Sequence, residues 1–193
     1  MASNPKVGII GRGNAGSAIK NGLDKAGYEV RIVGSDPRAA KETASWSDVL
    51  ILAVPFSVID QTLSEIGNES LNGKVVVDVT NNFNPRAKEP SMGGSEELQR
   101  KIPTAKVVKS FNHIFAANMD SGHVKAGQLT LFVAGDDKDA KSIVLKLGKD
   151  IGFDPIDAGS LINGRVLDGM AQLIIQLAFQ SGMGVQTGYK LLH

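Results

Sequence analysis

Short apolar runs ended by glycine or proline recur along the chain, separated by stretches in which apolar residues return every three or four positions. Lys6-Val7-Gly8-Ile9-Ile10 is such a run, and a continuous apolar run of this length predicts a buried parallel strand. Ala15, Ala18, Ile19, Leu23 and Ala26 follow at helical spacing and stop at Gly27, a residue suited to ending a helix. Strand-like runs recur at Glu29–Val33, Asp48–Val54 (closed by Pro55), Lys74–Val79, Lys106–Phe111 and Thr130–Ala134 (closed by Gly135). Helical spacing fills Val58–Ile66, Ser95–Lys101 and Lys138–Ile151. Strands alternating with helices predict an α/β fold built on a Rossmann-like parallel sheet with right-handed crossovers.

Two departures from regular alternation shape this picture. Only Pro37 to Ser47 separates the second strand from the third. A helix, a strand and a second helix do not fit there, so the connection is reduced and the usual third strand is expected to be missing or vestigial. After Asp157-Ala158-Gly159, residues Leu161–Ser181 read as one long helix, apolar nearly all round at Val166, Leu167, Met170, Leu173, Ile174, Ile175, Leu177 and Ala178. Such a helix is expected to be buried on several sides. A subunit interface would bury it; packing against its own sheet is the alternative.

Composition narrows the function classes. The 193 residues carry 21 basic and 20 acidic side chains, a formal net charge of +1, so no broad basic field is present and nucleic acid is not the expected partner. The absence of cysteine excludes disulfides, thiolate zinc sites and thiol catalysis. Met1 to Lys6 does not read as a signal peptide, and no apolar run is long enough to span a membrane. A cytoplasmic protein with no membrane partner is the expectation.

Gly11-Arg12-Gly13-Asn14-Ala15-Gly16 is a complete G-x-G-x-x-G lying between a predicted strand and a predicted helix, the context in which this pattern signals a dinucleotide site. Gly11 permits the tight turn, Gly13 lets the backbone approach a pyrophosphate, and Gly16 lets helix and strand pack closely. The helix start then offers unpaired N–H groups to the phosphates. Residues 1–135 are accordingly read as a dinucleotide-binding Rossmann domain and 136–193 as a small C-terminal part with a helical extension.

The end of the second strand bears on the choice between NADP and NAD. Val33-Gly34-Ser35-Asp36-Pro37-Arg38 has glycine where an acid would accept the ribose 2′-hydroxyl. Ser35, Arg38 and Arg12 are suited to a 2′-phosphate, while Asp36 lies about 20 residues beyond the motif, where an NAD-type acid is expected. The balance favours NADP, with NAD as the alternative. Open α/β sheets bind ligands beyond the carboxyl ends of their strands, so Val54-Pro55, Thr80-Asn81-Asn82 and Asn112-His113 should line the nicotinamide half of the cleft. Turn chemistry accounts equally well for the two asparagines. For His113, a packed or solvated histidine is the reading preferred to proton transfer.

No G-x-S-x-G elbow or H-E-x-x-H is present, the three histidines lack ligand spacing, and no metal site is expected. No general acid–base pair is evident. Hydride transfer between two redox cofactors requires ring alignment and no protein group at the transferred atom.

With these residues in hand, the chain resembles the F420-dependent NADP reductase family. The likeness is carried by Val7–Gly16, Asp48–Pro55, Lys106–Ala116 (through Ser110-Phe111-Asn112-His113-Ile114-Phe115), and Asp157-Ala158-Gly159-Ser160-Leu161 through Gly182-Met183-Gly184. The third stretch, with Gly94-Ser95-Glu96-Glu97-Leu98 before it, is also similar to the cytosolic oxidoreductase domain of six-transmembrane metalloreductases. The resemblance implies NADPH on the glycine loop and a deazaflavin (coenzyme F420) or a flavin stacked on the nicotinamide. This second cofactor would lie near Asn112, His113, Ile114 and Gly182-Met183-Gly184, with the C-terminal part completing its site. Hydride would pass directly between the rings, with no catalytic side chain required. The resemblance also implies a homodimer. It leaves open an NADPH-dependent flavin or ferric reductase, and a cofactor-binding sensor without turnover. One departure stands out: where the family commonly ends its second strand in Ser-Arg, this chain has an extra residue before Gly34-Ser35, and Asp36 follows.

Overall fold

The computed structural model describes residues 4–83 and 93–192; Met1 to Ser3 of the amino-terminal reading and His193 lie outside them. Strand β1 (Val7–Ile10) leads into α1 (Asn14–Lys25), β2 (Val30–Val33), α2 (Pro37–Trp46), β3 (Val49–Leu52), α3 (Ile59–Ile66), β4 (Val75–Asp78), α4 (Gly94–Lys101) and β5 (Lys106–Lys109). A small hairpin, β6 (His123–Val124) and β7 (Gly127–Gln128), precedes β8 (Thr130–Gly135), α5 (Lys138–Ile151), β9 (Asp154–Asp157) and α6 (Gly164–Phe179). The main sheet has the order β2-β1-β3-β4-β5-β8-β9. β2 is its edge strand, because α2 alone fills the short connection.

Helix α2 is absent from the sequence reading, although its start signal is plain. Asp36 Oδ1 accepts the Ala39 N–H at 3.1 Å as N-cap, and Pro37 opens the helix, where its missing N–H costs nothing. Strand β9 likewise lies where the sequence pattern predicts none. It contains Pro155, which argues against a central strand but is tolerated at a sheet edge.

The sheet is not wholly parallel, a correction to the expectation. β8 pairs with β5 antiparallel, Val108 opposite Gly135, while β9 pairs parallel to β8. No crossover helix joins β5 to β8; the segment between them makes a short 3-10 turn and the β6–β7 hairpin. Without a helical crossover the chain returns in the opposite sense. The sheet also runs on past position 135, since β9 extends it.

Two apolar layers sandwich the sheet. Val7, Ile9, Ile51, Val77 and Val108 face α1 and α5. Ile10, Leu50, Leu52, Val76 and Val107 face the side of α2, α3 and α4. Burial of these branched side chains on both faces is the dominant favourable contribution to the fold.

The C-terminal helix departs from expectation in extent and burial. A 3-10 turn covers Leu161–Asn163, and α6 ends at Phe179. Its buried residues, Gly164, Leu167, Ala171, Ile174 and Ala178, recur every three or four positions and form one stripe. Val166, Leu173, Ile175 and Phe179 are exposed, so a single chain buries one face of the helix rather than several. The tail then folds back on β8: Thr130 donates its N–H to the Tyr189 carbonyl at 2.9 Å, and Tyr189 donates its hydroxyl to the Met170 carbonyl at 2.8 Å.

Candidate dinucleotide site and the charge cluster beside it

After β1 the chain turns at Gly11, whose φ of 116° suits glycine. A Cβ there would lie 2.2 Å from the Ala53 carbonyl oxygen, and a Cβ on Gly16 would lie 2.0 Å from the Gly11 carbonyl oxygen. Gly13 differs: a Cβ on it would meet nothing within 4 Å. It is the N-cap of α1, it supplies no capping side chain, and the first turn holds no acid. The first N–H groups of α1, in Asn14, Ala15 and Gly16, therefore keep their donors for an external acceptor at the positive helix end. These features fit a diphosphate.

From this loop a cleft runs along the carboxyl edge of the sheet. Arg12, Gly34, Ser35, Val54 and Pro55 line a cavity of about 360 Å³ with Gly11 and Gly13. The Arg12 side chain crosses Gly34, where a Cβ would meet its Cδ at 3.5 Å. Asp36 is committed to capping α2. Arg38, on the first turn of α2, pairs with Glu42 at 2.9 Å and is 89% exposed.

Beyond Val54 and Pro55 the cleft widens to about 510 Å³ between Ala15, Phe56, Thr80 and Asn81. It continues into about 200 Å³ between Asn112, His113, Ile114 and the α6 residues Ala171, Ile174 and Ile175. Ala15, Val79 and Asn81 border both volumes. On this wall the buried Thr80 Oγ1 has no hydrogen-bond partner among the described residues. A buried hydroxyl without a partner is costly and fits the polar edge of a bound ligand.

The loop after β5 is held by strain and by paired amides. Phe111 has φ 63°, the one positive value among described residues other than glycine, at a cost of ~1–3 kcal/mol. Its fully buried ring, edge-on to Phe153 with centroids 5.9 Å apart, holds it there. Asn112 donates from Nδ2 to Asn81 Oδ1 at 3.0 Å, and Asn81 donates back to the Asn112 carbonyl at 3.2 Å.

His113 is fully buried. Its Nε2 accepts the Phe132 N–H at 3.3 Å, and Nδ1 lies 3.3 Å from Asn112 Oδ1. Burial lowers its pKa to about 4; a backbone hydrogen bond to Thr130 opposes this and the charge of Lys109 adds to it. The ring is neutral at pH 7 with both nitrogens engaged.

Gly182, Met183 and Gly184 form the turn that ends α6, the glycines at φ 72° and 71°. Met183 and Gly184 donate their N–H groups to the Leu177 and Ala178 carbonyls, and Met183 is exposed. These three residues are not among those lining the cavity beside Asn112. Phe179, at the end of α6, makes an edge contact with Phe115, which does line it, centroids 6.1 Å apart.

A cluster that the sequence reading did not single out adjoins the cleft. Asp78 and Lys109 end neighbouring strands in register, so their side chains emerge side by side. Lys109 Nζ lies 3.2 Å from Asp78 Oδ2 and 3.0 Å from Asp168 Oδ1 on α6, and it also donates to the Thr80 carbonyl. Asn112 Nδ2 reaches Asp168 Oδ1 at 3.2 Å. Burial pushes the Asp168 carboxyl above its ordinary value, against the pull of Lys109. The signal was present in the sequence: each of two apolar strands ends in a charge, Val75–Val77 in Asp78 and Val107-Val108 in Lys109.

Fold and cleft together define an NAD(P)-binding oxidoreductase of Rossmann type. The family described as NADP oxidoreductase, coenzyme F420-dependent, matches residues 6–45 and 36–82. A structure from Arthrobacter sp. FB24, described as a candidate F420-dependent NADP-reductase, superposes with TM-score 0.87 at 25% identity, covering 98% of this chain and 100% of that one. The hypothetical protein SMa0349 of Sinorhizobium meliloti is 30% identical over 82% of this chain and 87% of its own, with TM-score 0.71. Metalloreductase STEAP3 of Rattus norvegicus is 28% identical over 177 residues, 85% of this chain and 36% of that protein. This chain thus spans about a third of the length of the curated relatives it matches. The chain belongs to the F420-dependent NADP oxidoreductase family and is homologous to the oxidoreductase domains of the STEAP metalloreductases.

Proposed function

We propose that the chain transfers hydride between NADP(H) and a deazaflavin of the coenzyme F420 type. The observation that carries this reading is the continuity of the cleft. One end is the open face of Gly13 at the start of α1, and the other is the pocket between Asn112, Ile114 and α6. In this reading a dinucleotide lies at the glycine loop with a second planar reactant beside it. When bound, the nicotinamide supplies hydride at C4 to the facing ring. The protein's own part is to bind and align. Gly11, Gly13 and Gly16 shape the phosphate cradle, while Val54 and Pro55 form an apolar wall.

Arg12 and Ser35 favour a 2′-phosphate, because the Asp36 carboxylate is turned to the α2 backbone and no other acid ends β2. Arg38 contributes only by leaving Glu42. A cytoplasmic homodimer joined through α6 is part of the same proposal. In it, residues 136–193 complete the second-reactant pocket, and Gly182-Met183-Gly184 of one protomer reach the pocket of its partner.

Homology to the metalloreductase domains favours one second reading, in which the acceptor is a flavin. The protein is mixed with NADPH and either F420 or FMN, and loss of NADPH absorbance is followed. Turnover with F420 alone supports the first reading and turnover with FMN alone the second. Tight NADPH binding with neither acceptor reduced points to a sensor, and no NADPH binding removes the assignment.

A further inference from the structure

We propose that Asp168 is the proton donor to the hydride acceptor. It releases its carboxyl proton to a ring nitrogen of that acceptor as the hydride arrives. This rests on the reading of the cleft given above and adds to it a residue and a requirement on the acceptor.

The argument begins with charge. Two carboxylates, Asp78 and Asp168, share the single ammonium of Lys109, which is fully buried. Among the described residues, two buried negative charges against one positive leave one uncompensated, which is costly; a proton on one carboxyl removes that cost. Asp78 is the more fully hydrogen-bonded of the two, since it also accepts from Ser95 Oγ at 2.6 Å and from the Thr80 N–H at 2.9 Å. Hydrogen bonds donated to a carboxylate favour its charged form. Among the described residues Asp168 accepts from only the Asn112 amide besides Lys109, and burial holds its carboxyl up. On α4, which packs against α6, Glu96 is bound by Arg165 at 2.9 Å.

Access follows from helix geometry. Asp168, Ala171 and Ile175 lie on one face of α6, and the last two line the pocket beside Asn112. The Asp168 side chain is 13% exposed, whereas Lys109 is sealed. Asp168 is not itself in that lining, but it is one helical turn from Ala171 and bonded to Asn112, which are, so it stands directly behind the pocket wall.

The step balances. Two electrons enter the acceptor with the hydride of a dihydronicotinamide, which is oxidised. The Asp168 O–H bond breaks, its electron pair stays on the carboxylate, and the proton forms an N–H bond on the reduced acceptor. The new carboxylate is met by Lys109 and Asn112, and solvent restores the proton at the exposed edge. An acceptor that takes hydride at a ring atom and a proton at a ring nitrogen, a deazaflavin or flavin, makes use of this. A ferric ion accepting electrons alone does not.

The first readout is infrared. Near pH 6, where an ordinary aspartate of pKa about 3.9 is ionised, the protein should show the carbonyl stretch of an un-ionised carboxyl. It should shift with isotope-labelled aspartate, be absent from Asp168→Asn and return in Asp168→Glu. The second readout is single-turnover oxidation of bound NADPH by F420 or FMN across pH, in water and deuterium oxide. Asp168→Asn should bind NADPH within about twofold of wild type yet transfer hydride about a hundredfold more slowly. It should also lose the solvent isotope effect, with Asp168→Glu restoring part of the rate. Normal NADPH binding with an unchanged pH profile and isotope effect in Asp168→Asn overturns the proposal alone, as does absence of the infrared band. Failure of the wild type to bind NADPH overturns the reading of the cleft, and the proposal with it.

Discussion

Gly16 packs so closely on Gly11 that a Cβ at Gly16 would sit 2.0 Å from the Gly11 carbonyl oxygen. Gly13, between them, faces open space. The three glycines of one motif are thus held by different causes: two by contacts the protein makes with itself, one by room left for something else.

This difference predicts separable phenotypes. Gly16→Ala has no flexible neighbour to displace and should lose about 2 kcal/mol or more of stability. Gly13→Ala should change stability by less than about 1 kcal/mol and weaken NADPH binding about tenfold or more. Urea unfolding and calorimetric titration of both variants check the pair; weaker NADPH binding only where stability is also lost would contradict it.

Cofactor preference should reside in Arg12. Arg12→Ala is expected to weaken NADPH about tenfold, as befits a charged hydrogen bond of ~1.5–3 kcal/mol, while leaving NADH within about twofold. Arg38→Ala should have the smaller effect, since that guanidinium is engaged by Glu42 at 2.9 Å. Equal losses for both dinucleotides in Arg12→Ala would count against the 2′-phosphate assignment.

His113 makes stability depend on pH. Its folded pKa is about 4, below the ordinary 6.5, so the unfolded chain binds a proton that the folded protein excludes. The stabilisation is whole above pH 6.5 and is lost as pH falls from there to about 4, amounting to ~3 kcal/mol for this group. Denaturant midpoints across this range should fall steeply in the wild type and less steeply in His113→Gln. Parallel slopes would show that other groups govern the loss.

The outer face of α6 should mediate self-association. Val166 is 61% exposed, Leu173 47% and Phe179 68%, and covering them removes apolar area from water at ~25 cal/mol per Å². Light scattering should report a dimer for the wild type and a monomer for Leu173→Asp, whose fold should survive because the site is exposed. A monomeric wild type at micromolar concentration would exclude the interface.

Local pattern alone determined much of this protein. Apolar runs such as Val49–Leu52 and Val75–Val77 can be stable only as strands covered on both faces, and the brevity of 37–47 already removed one strand from the sheet. G-x-G-x-x-G between a strand and a helix located the phosphate cradle, because the roles of its glycines depend on backbone geometry within a few residues. Tertiary structure decided what depends on positions far apart in the chain. The reversal of β8 followed from a connection without a helix, and the single buried stripe of α6 from where that helix lands. The meeting of Asp78, Lys109 and Asp168 arose from strand register and helix docking together. Each of those charges, taken alone, looks like an ordinary surface residue. Only the sheet that sets Asp78 beside Lys109, and the helix that closes over them, remove the water that would have made them so.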